Sequence, residues 1–118
     1  MNKREAAERR GRRAEFVAVW MLRLKGYRIL DRRYRTPVGE IDLIAVRAGL
    51  LVFAEVKARA DKADAAWSIS GRQQQRITRA AEHFLSSRER YQNHDIRFDA
   101  ILVTPGRWPA HLKAAWRP

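Results

Sequence analysis

The run Gly39-Glu40-Ile41-Asp42-Leu43-Ile44-Ala45-Val46-Arg47-Ala48-Gly49-Leu50-Leu51-Val52-Phe53-Ala54-Glu55-Val56-Lys57 organises the reading of the whole chain. Two apolar stretches, Ile41 to Val46 and Leu50 to Val56, flank Arg47-Ala48-Gly49, which predicts a β-hairpin. Ala-Gly is not the ideal two-residue turn, and a bulge there would shift the register. With Ala48 and Gly49 as the loop, Arg47 faces Leu50, Asp42 faces Glu55 and Glu40 faces Lys57. Side chains alternate along a strand, so Glu40, Asp42, Glu55 and Lys57 fall on one face. Ile41, Leu43 and Ala45 fall on the other, against Val52, Ala54 and Val56. Farther along the charged face, Ile44 meets Phe53 and Val46 meets Leu51. The hairpin is therefore expected to be buried on both sides, with its charge confined to one end.

Directly opposed carboxylates are destabilising. At about 5 Å and an effective dielectric of 20 they repel by roughly 3 kcal/mol. A divalent cation reverses that sign, because Mg²⁺ takes one or two carboxylates together with waters and a phosphate oxygen. Lys57 then stands where it could orient or deprotonate a water, or stabilise charge developing on a phosphate. The competing reading is that Asp42 and Glu55 are ordinary strand-end charges neutralised by Lys57 and nearby arginines.

Outward from the hairpin, Ala14, Val17, Ala18, Met21 and Leu24 recur at three and four residues, predicting a helix over Ala6 to Lys25 that Gly26 stops. Trp20 is read as packing on that helix. Tyr27 to Arg35 is a charged strand near a sheet edge, and Thr36-Pro37-Val38-Gly39 is a turn in which glycine would supply a positive φ. Ala58 to Trp67 has no period and reads as a loop, in which Trp67 could stack on a base. Ser68 or Ser70 caps a second helix to Arg90, with Ile77, Ala80, Ala81 and Phe84 on one face. Ile96 to Thr104 is a strand, and His111 to Trp116 reads as a short helix. The order α-β-β-β-α-β, with a crossover helix between two strands, implies a parallel pair beside the hairpin. The expected fold is α/β, a mixed sheet flanked by helices, in one domain over 1–118 with 1–13 as a basic N-terminal segment.

The 118 residues carry 25 Lys and Arg against 13 Asp and Glu, a formal charge of +12. Such an excess makes a polyanion the expected partner, and the arginines a phosphate footprint. Arg9, Arg10, Arg12, Arg13, Arg59, Arg72 and Arg76 are the candidate nucleic-acid contacts. No stretch approaches the roughly 20 apolar residues of a membrane span, so no membrane partner is expected and the location is read as cytoplasmic. The chain has no cysteine and three histidines, and no two of those histidines are spaced as metal ligands. Ser86-Ser87 has no histidine base beside it, which leaves serine nucleophilic catalysis without support.

The hairpin residues also carry a resemblance. Asp42, twelve intervening residues, then Glu55-Val56-Lys57 is similar to the D…(D/E)-x-K active site of the restriction-endonuclease-like, or PD-(D/E)XK, nucleases. More closely, Gly39-Glu40-Ile41-Asp42-Leu43-Ile44-Ala45 followed by Val52-Phe53-Ala54-Glu55-Val56-Lys57-Ala58-Arg59 resembles the bacterial YraN family. Glu15 and Ala18 ahead of Gly26-Tyr27, Arg79-Ala80-Ala81, and Arg97-Phe98-Asp99 extend the match over nearly the full length. The resemblance implies the αβββαβ core and a Holliday-junction-resolvase-like, Mg²⁺- or Mn²⁺-dependent endonuclease acting on DNA, with branched DNA as the implied substrate. Asp42 and Glu55 would bind the metal, joined by the backbone carbonyl of Val56. Lys57 would act on the attacking water, and Glu15, on the first helix, would complete the catalytic set. Glu40, Gln73 and Gln74 would surround it. Relatives tend to show Lys-Gln where this chain has Gln73-Gln74, which puts a catalytic role for that position in doubt. The alternative is a nucleic-acid-binding module that keeps the nuclease fold with little or no catalytic activity. Cutting both strands of a duplex needs two sites, which a symmetric homodimer would supply.

Overall fold

Ala48 and Gly49 have φ of 47° and 80°, the paired positive values of a type I′ turn, whose twist matches that of the strands it joins. A computed structural model describes residues 2–58 and 69–118. In it the hairpin is β2 (Gly39–Arg47) and β3 (Leu50–Ala58), and Arg47 pairs with Leu50 as the two-residue turn requires. The hairpin lies inside a five-stranded sheet of order β1-β2-β3-β4-β5, with β1 (Arg28–Thr36) at one edge. β4 (Asp95–Val103) runs parallel to β3, and α2 (Gly71–Ser86) is the crossover between them. This is the expected α/β architecture of a restriction-endonuclease-like core, a mixed sheet flanked by helices.

The helices take opposite faces. α1 (Lys3–Leu24) buries Ala18, Val19, Met21 and Leu22 against Leu43, Ala45, Val52, Ala54 and Ile101. α2 buries Ile77, Ala80, Ala81 and Phe84 against Ile44, Leu51, Phe53, Phe98 and Ala100. The hairpin is covered on both sides, so its runs are apolar at nearly every position. α1 starts at Lys3, with the Asn2 side chain accepting from the Glu5 N–H at 2.8 Å, so the basic segment is helical. It ends as expected at Gly26, where the Tyr27 N–H bonds the Leu22 carbonyl and the Gly26 N–H that of Arg23, a Schellman motif.

Four expectations change. Residues His111 to Trp116 belong not to a helix but to a fifth strand, β5 (Ala110–Trp116), antiparallel to β4; Trp116 packs its ring on Phe98, and strand pairing outweighs helix propensity there. α2 stops at Ser86 rather than Arg90, because the Ser86 and Ser87 hydroxyls donate back to the His83 and Phe84 carbonyls. Trp20 and Leu24 lie exposed on the outer side of α1, whose buried stripe runs through Ala14, Ala18, Met21 and Leu22. Gly39 has no positive φ; a Cβ there would stand 2.2 Å from the Arg76 carbonyl oxygen, so glycine is needed because α2 rests directly on the strand. Ser70 caps α2. Arg59, Trp67 and the alternative cap Ser68 lie outside the described residues.

Candidate functional site

The charged end of the hairpin departs from the regular ladder at Asp42. The β2–β3 pairing runs from Arg47–Leu50 to Leu43–Ala54, and Asp42 and Glu55 are not a paired position. Instead the Asp42 carboxylate accepts the Val56 N–H at 2.8 Å, a side chain taking a backbone donor in place of a strand. Strict alternation fails at the same point. Ile41 and Ile44 both face the α2 side, whereas Leu43 and Ala45 face α1, which corrects the expectation that Ile41 shares a face with Leu43. On β1, Arg33 falls between the Arg32–Leu43 and Tyr34–Ile41 pairs, level with Asp42, and has φ of 53°. Beside Asp42, then, β1 is bent at Arg33 and the β2–β3 pairing gives way to a side-chain bond.

Glu55, a buried acidic residue, faces α2. Gln73, in the first turn of α2, donates from Nε2 to Glu55 Oε1 at 2.7 Å. Lys57 Nζ stands 3.4 Å from the same oxygen and 3.5 Å from Gln73 Oε1. α2 is held at this height by Gly39 under Arg76, and Gln73 is three residues earlier on the same helix face. The resulting cleft, about 460 Å³, is lined by Glu40, Glu55, Ser70, Arg72, Gln73 and Arg76. The buried Glu55 carboxylate lies at its floor, and the exposed Arg72 and Arg76 at its rim.

Burial raises the Asp42 carboxyl above its ordinary range, and the Glu15 charge adds to that, against the lowering effect of the Val56 N–H. Burial likewise pushes Glu55 up to about 8; the Asp42 charge adds to the rise and Lys57 opposes it. A group with a raised folded value binds more protons folded than unfolded between the two values, so stability falls as pH rises from about 4.5 toward 8. Glu55→Gln removes that liability while still accepting from Gln73. In chelated buffer the thermal stability of this variant relative to the parent is expected to increase from pH 5 to pH 8. A difference that stays flat across that window would contradict the assignment.

The remaining candidates divide. Glu15 points inward and is held by Arg33 Nε at 3.0 Å, close enough for its charge to act on Asp42. Glu40 is exposed, 3.6 Å from Arg35, at the edge of the cleft. Gln74 turns away: its Nε2 donates to the Ile69 carbonyl at 2.8 Å. Arg9, Arg10 and Arg13 line a second cleft with Val103 to Arg107, on the α1 side, and Arg12 is exposed. Sequence reasoning does not find Arg33, which lies 18 residues from its partner and carries no local signal. Nor does it find the buried Asp99, on which Arg97 and His111 converge; the i, i+2 spacing of Arg97 and Asp99 on a strand is the available hint.

Among the described residues, no group of three or more His, Asp or Glu side chains is arranged to hold a metal ion. Two adjacent carboxylates and a peptide carbonyl are nonetheless hard oxygen donors of the kind Mg²⁺ and Mn²⁺ accept, since such ions keep several waters. The donor set fits in kind. Among the described residues, no helix is long and apolar enough to cross a membrane.

A family model for the uncharacterised protein family UPF0102 matches residues 14–103. A UPF0102 protein of Maricaulis maris is 54% identical over 115 residues, covering 98% of this chain and 91% of that one. A UPF0102 protein of Parvibaculum lavamentivorans is 51% identical over 113 residues, covering 96% and 85%. One from Bradyrhizobium is 53% identical over 113 residues, covering 96% and 80%.

Proposed function

Because the chain belongs to the UPF0102, or YraN, family, related to the PD-(D/E)XK restriction-endonuclease-like proteins, we propose that it is a DNA-binding protein that seats the phosphodiester backbone at the α2 cleft. One observation carries this reading: Arg72 and Arg76 rim the cleft in a protein of net charge +12. Guanidinium groups bind phosphate through paired donors, and the surplus of positive charge attracts the polymer as a whole. Gln73 and Ser70 add polar atoms between the rim and the floor.

A second reading, phosphodiester hydrolysis, is favoured by the meeting of Asp42, Glu55 and Lys57 at one end of the hairpin. Asp42, Glu55 and the Val56 carbonyl would hold Mg²⁺ or Mn²⁺. Such an ion, when bound, neutralises phosphate charge and makes a bound water more acidic. The protein's own residues would do the rest. Lys57 would orient the attacking water or meet the charge developing on the phosphate. Gln73, bonded to Glu55 and near Lys57, holds both side chains in place. Glu15, clamped by Arg33, sets the charge around Asp42.

Both readings are tested with labelled linear, flap and four-way DNA, with and without Mn²⁺, using the parent, Glu55→Ala and Arg72→Ala/Arg76→Ala. The parent is expected to bind each DNA with affinity that falls steeply with salt. The double arginine variant should bind more weakly and with a shallower salt slope, reduced by about one for each phosphate that is no longer neutralised. Failure of the parent to bind DNA at low salt would overturn the proposal. Metal-dependent nicking that disappears in Glu55→Ala supports hydrolysis; equal cutting by the parent and Glu55→Ala refutes hydrolysis and leaves binding.

A further inference from the structure

The outward face of α1 takes no part in the cleft or the core. Phe16 and Trp20, one turn apart, are 59% and 49% exposed. Their rings meet edge to face with centres 6.4 Å apart. Arg9, Arg12, Arg13 and Arg23 are all exposed, at helical spacings that place them on this same side before and after the aromatic pair. The Arg23 guanidinium lies 5.4 Å from the centre of the Trp20 ring. The helix anchors itself through the opposite face, at Ala14, Ala18, Met21 and Leu22, so these two aromatics are not needed to hold it down. Toward its N-terminus the arginine strip continues into the cleft of about 540 Å³ lined by Arg9, Arg10, Arg13 and Arg107.

We propose that this face binds an unpaired strand of DNA, its bases stacking on Phe16 and Trp20 and its phosphates meeting the flanking arginines. The inference rests on the DNA-binding reading above and adds the strandedness and the place. Charge complementarity selects the occupant. A second copy docked by the same face would oppose four arginines to four on a chain already at +12. A lipid surface would need a continuous apolar stripe, and that stripe of α1 is buried in the core. A single strand offers both a polyanionic backbone and open π faces, the two features that aromatic–arginine surfaces bind without regard to sequence. From Arg9 to Arg23 the helix rises about 20 Å, the length of a short single-stranded segment.

Fluorescence anisotropy with labelled oligo-dT and with duplex DNA tests the proposal. Phe16→Ala/Trp20→Ala is expected to weaken oligo-dT binding about tenfold or more while leaving duplex affinity within about twofold. Trp20→Phe keeps a stacking ring, so it should retain oligo-dT affinity while losing part of the tryptophan quenching seen on binding. Because the two side chains are exposed, melting curves should stay close to the parent's. A double variant that binds oligo-dT like the parent, with duplex binding intact, overturns the stacking face and leaves the DNA-binding reading standing. A parent that binds neither form of DNA overturns both. Trp20-dependent binding to anionic phosphatidylserine vesicles, or a Trp20-dependent dimer in sedimentation, with oligo-dT affinity unmoved, overturns it in favour of a lipid surface or a second copy.

Discussion

Asp99→Ala is expected to destabilise the chain by about 3–5 kcal/mol, the cost of leaving a buried ionic group without its partner. Asp99 is fully buried and accepts four hydrogen bonds: Arg97 Nε and Nη2 at 2.7 Å each, His111 Nε2 at 2.7 Å and the Ala114 N–H at 3.0 Å. Burial by itself would raise its carboxyl. The bonds from His111 and Arg97 and the Ala114 N–H outweigh it and hold the group down at about 2. The network reaches farther, with Arg97 Nη2 donating to the Tyr27 hydroxyl at 2.9 Å and Lys25 Nζ standing 2.9 Å from His111 Nδ1. Asp99 thus fastens β5 and the C-terminal end of α1 to β4. Calorimetry should show Tm lowered by about 10–25 °C. The folded value lies below the unfolded one, so this stabilisation is present above about pH 4 and is lost as pH falls toward 2. The gap between parent and variant should narrow over that acid range. A Tm change of under about 3 °C at pH 7 would contradict the assignment.

Gly39→Ala carries the second large effect and links stability to the site. The added methyl would meet backbone at 2.2 Å (the Arg76 oxygen), 2.8 Å and 3.2 Å, none of it the free end of a side chain. The clash is relieved only by lifting α2, at a cost of about 3 kcal/mol, the upper end of the usual range for overpacked sites. Lifting α2 also draws Gln73 off Glu55 and moves Arg72 and Arg76 away from the cleft floor. Lower Tm and weaker, less salt-sensitive duplex binding are therefore expected together. Gly11→Ala is the control. Nothing lies within 4 Å of a Cβ there, so within α1 the change should stabilise by about 0.5–1 kcal/mol. Gly39→Ala at parental stability would show that α2 is not seated on β2.

Much of this arrangement is legible along the chain. The hairpin register from Arg47–Leu50 inward follows from a two-residue loop and an apolar pattern of period two. The stop at Gly26, the Ser70 cap and the parallel β3–β4 pair follow from equally local signals. Glu55, Lys57, Arg72, Gln73 and Arg76 are readable as candidates because the strand and the helix that carry them are readable.

The register does not carry through to the site itself. At Asp42 the side chain competes for a backbone donor, and alternation, the rule that places Glu40, Asp42, Glu55 and Lys57 on one face, fails there. The strand at 110–116 escapes a local reading because its alanine-rich run has no β-branched residue and pairs only when β4 is present beside it. Trp20 escapes one because a helix wheel does not say which neighbouring residues the core leaves room for.

The sequence by itself determined the elements from α1 to β4, their order, the hairpin pairing as far as Leu43–Ala54 and the cationic background, since each depends on residues a few positions apart or on composition alone. Only the tertiary structure decided that Arg33 clamps Glu15, that Gln73 meets Glu55, that α2 rests on Gly39, and that Phe16 and Trp20 face outward. The first three join residues 18 to 37 positions apart in the chain, and the fourth depends on which face of α1 the sheet covers. All four follow from how packed surfaces approach one another, which no local periodicity encodes.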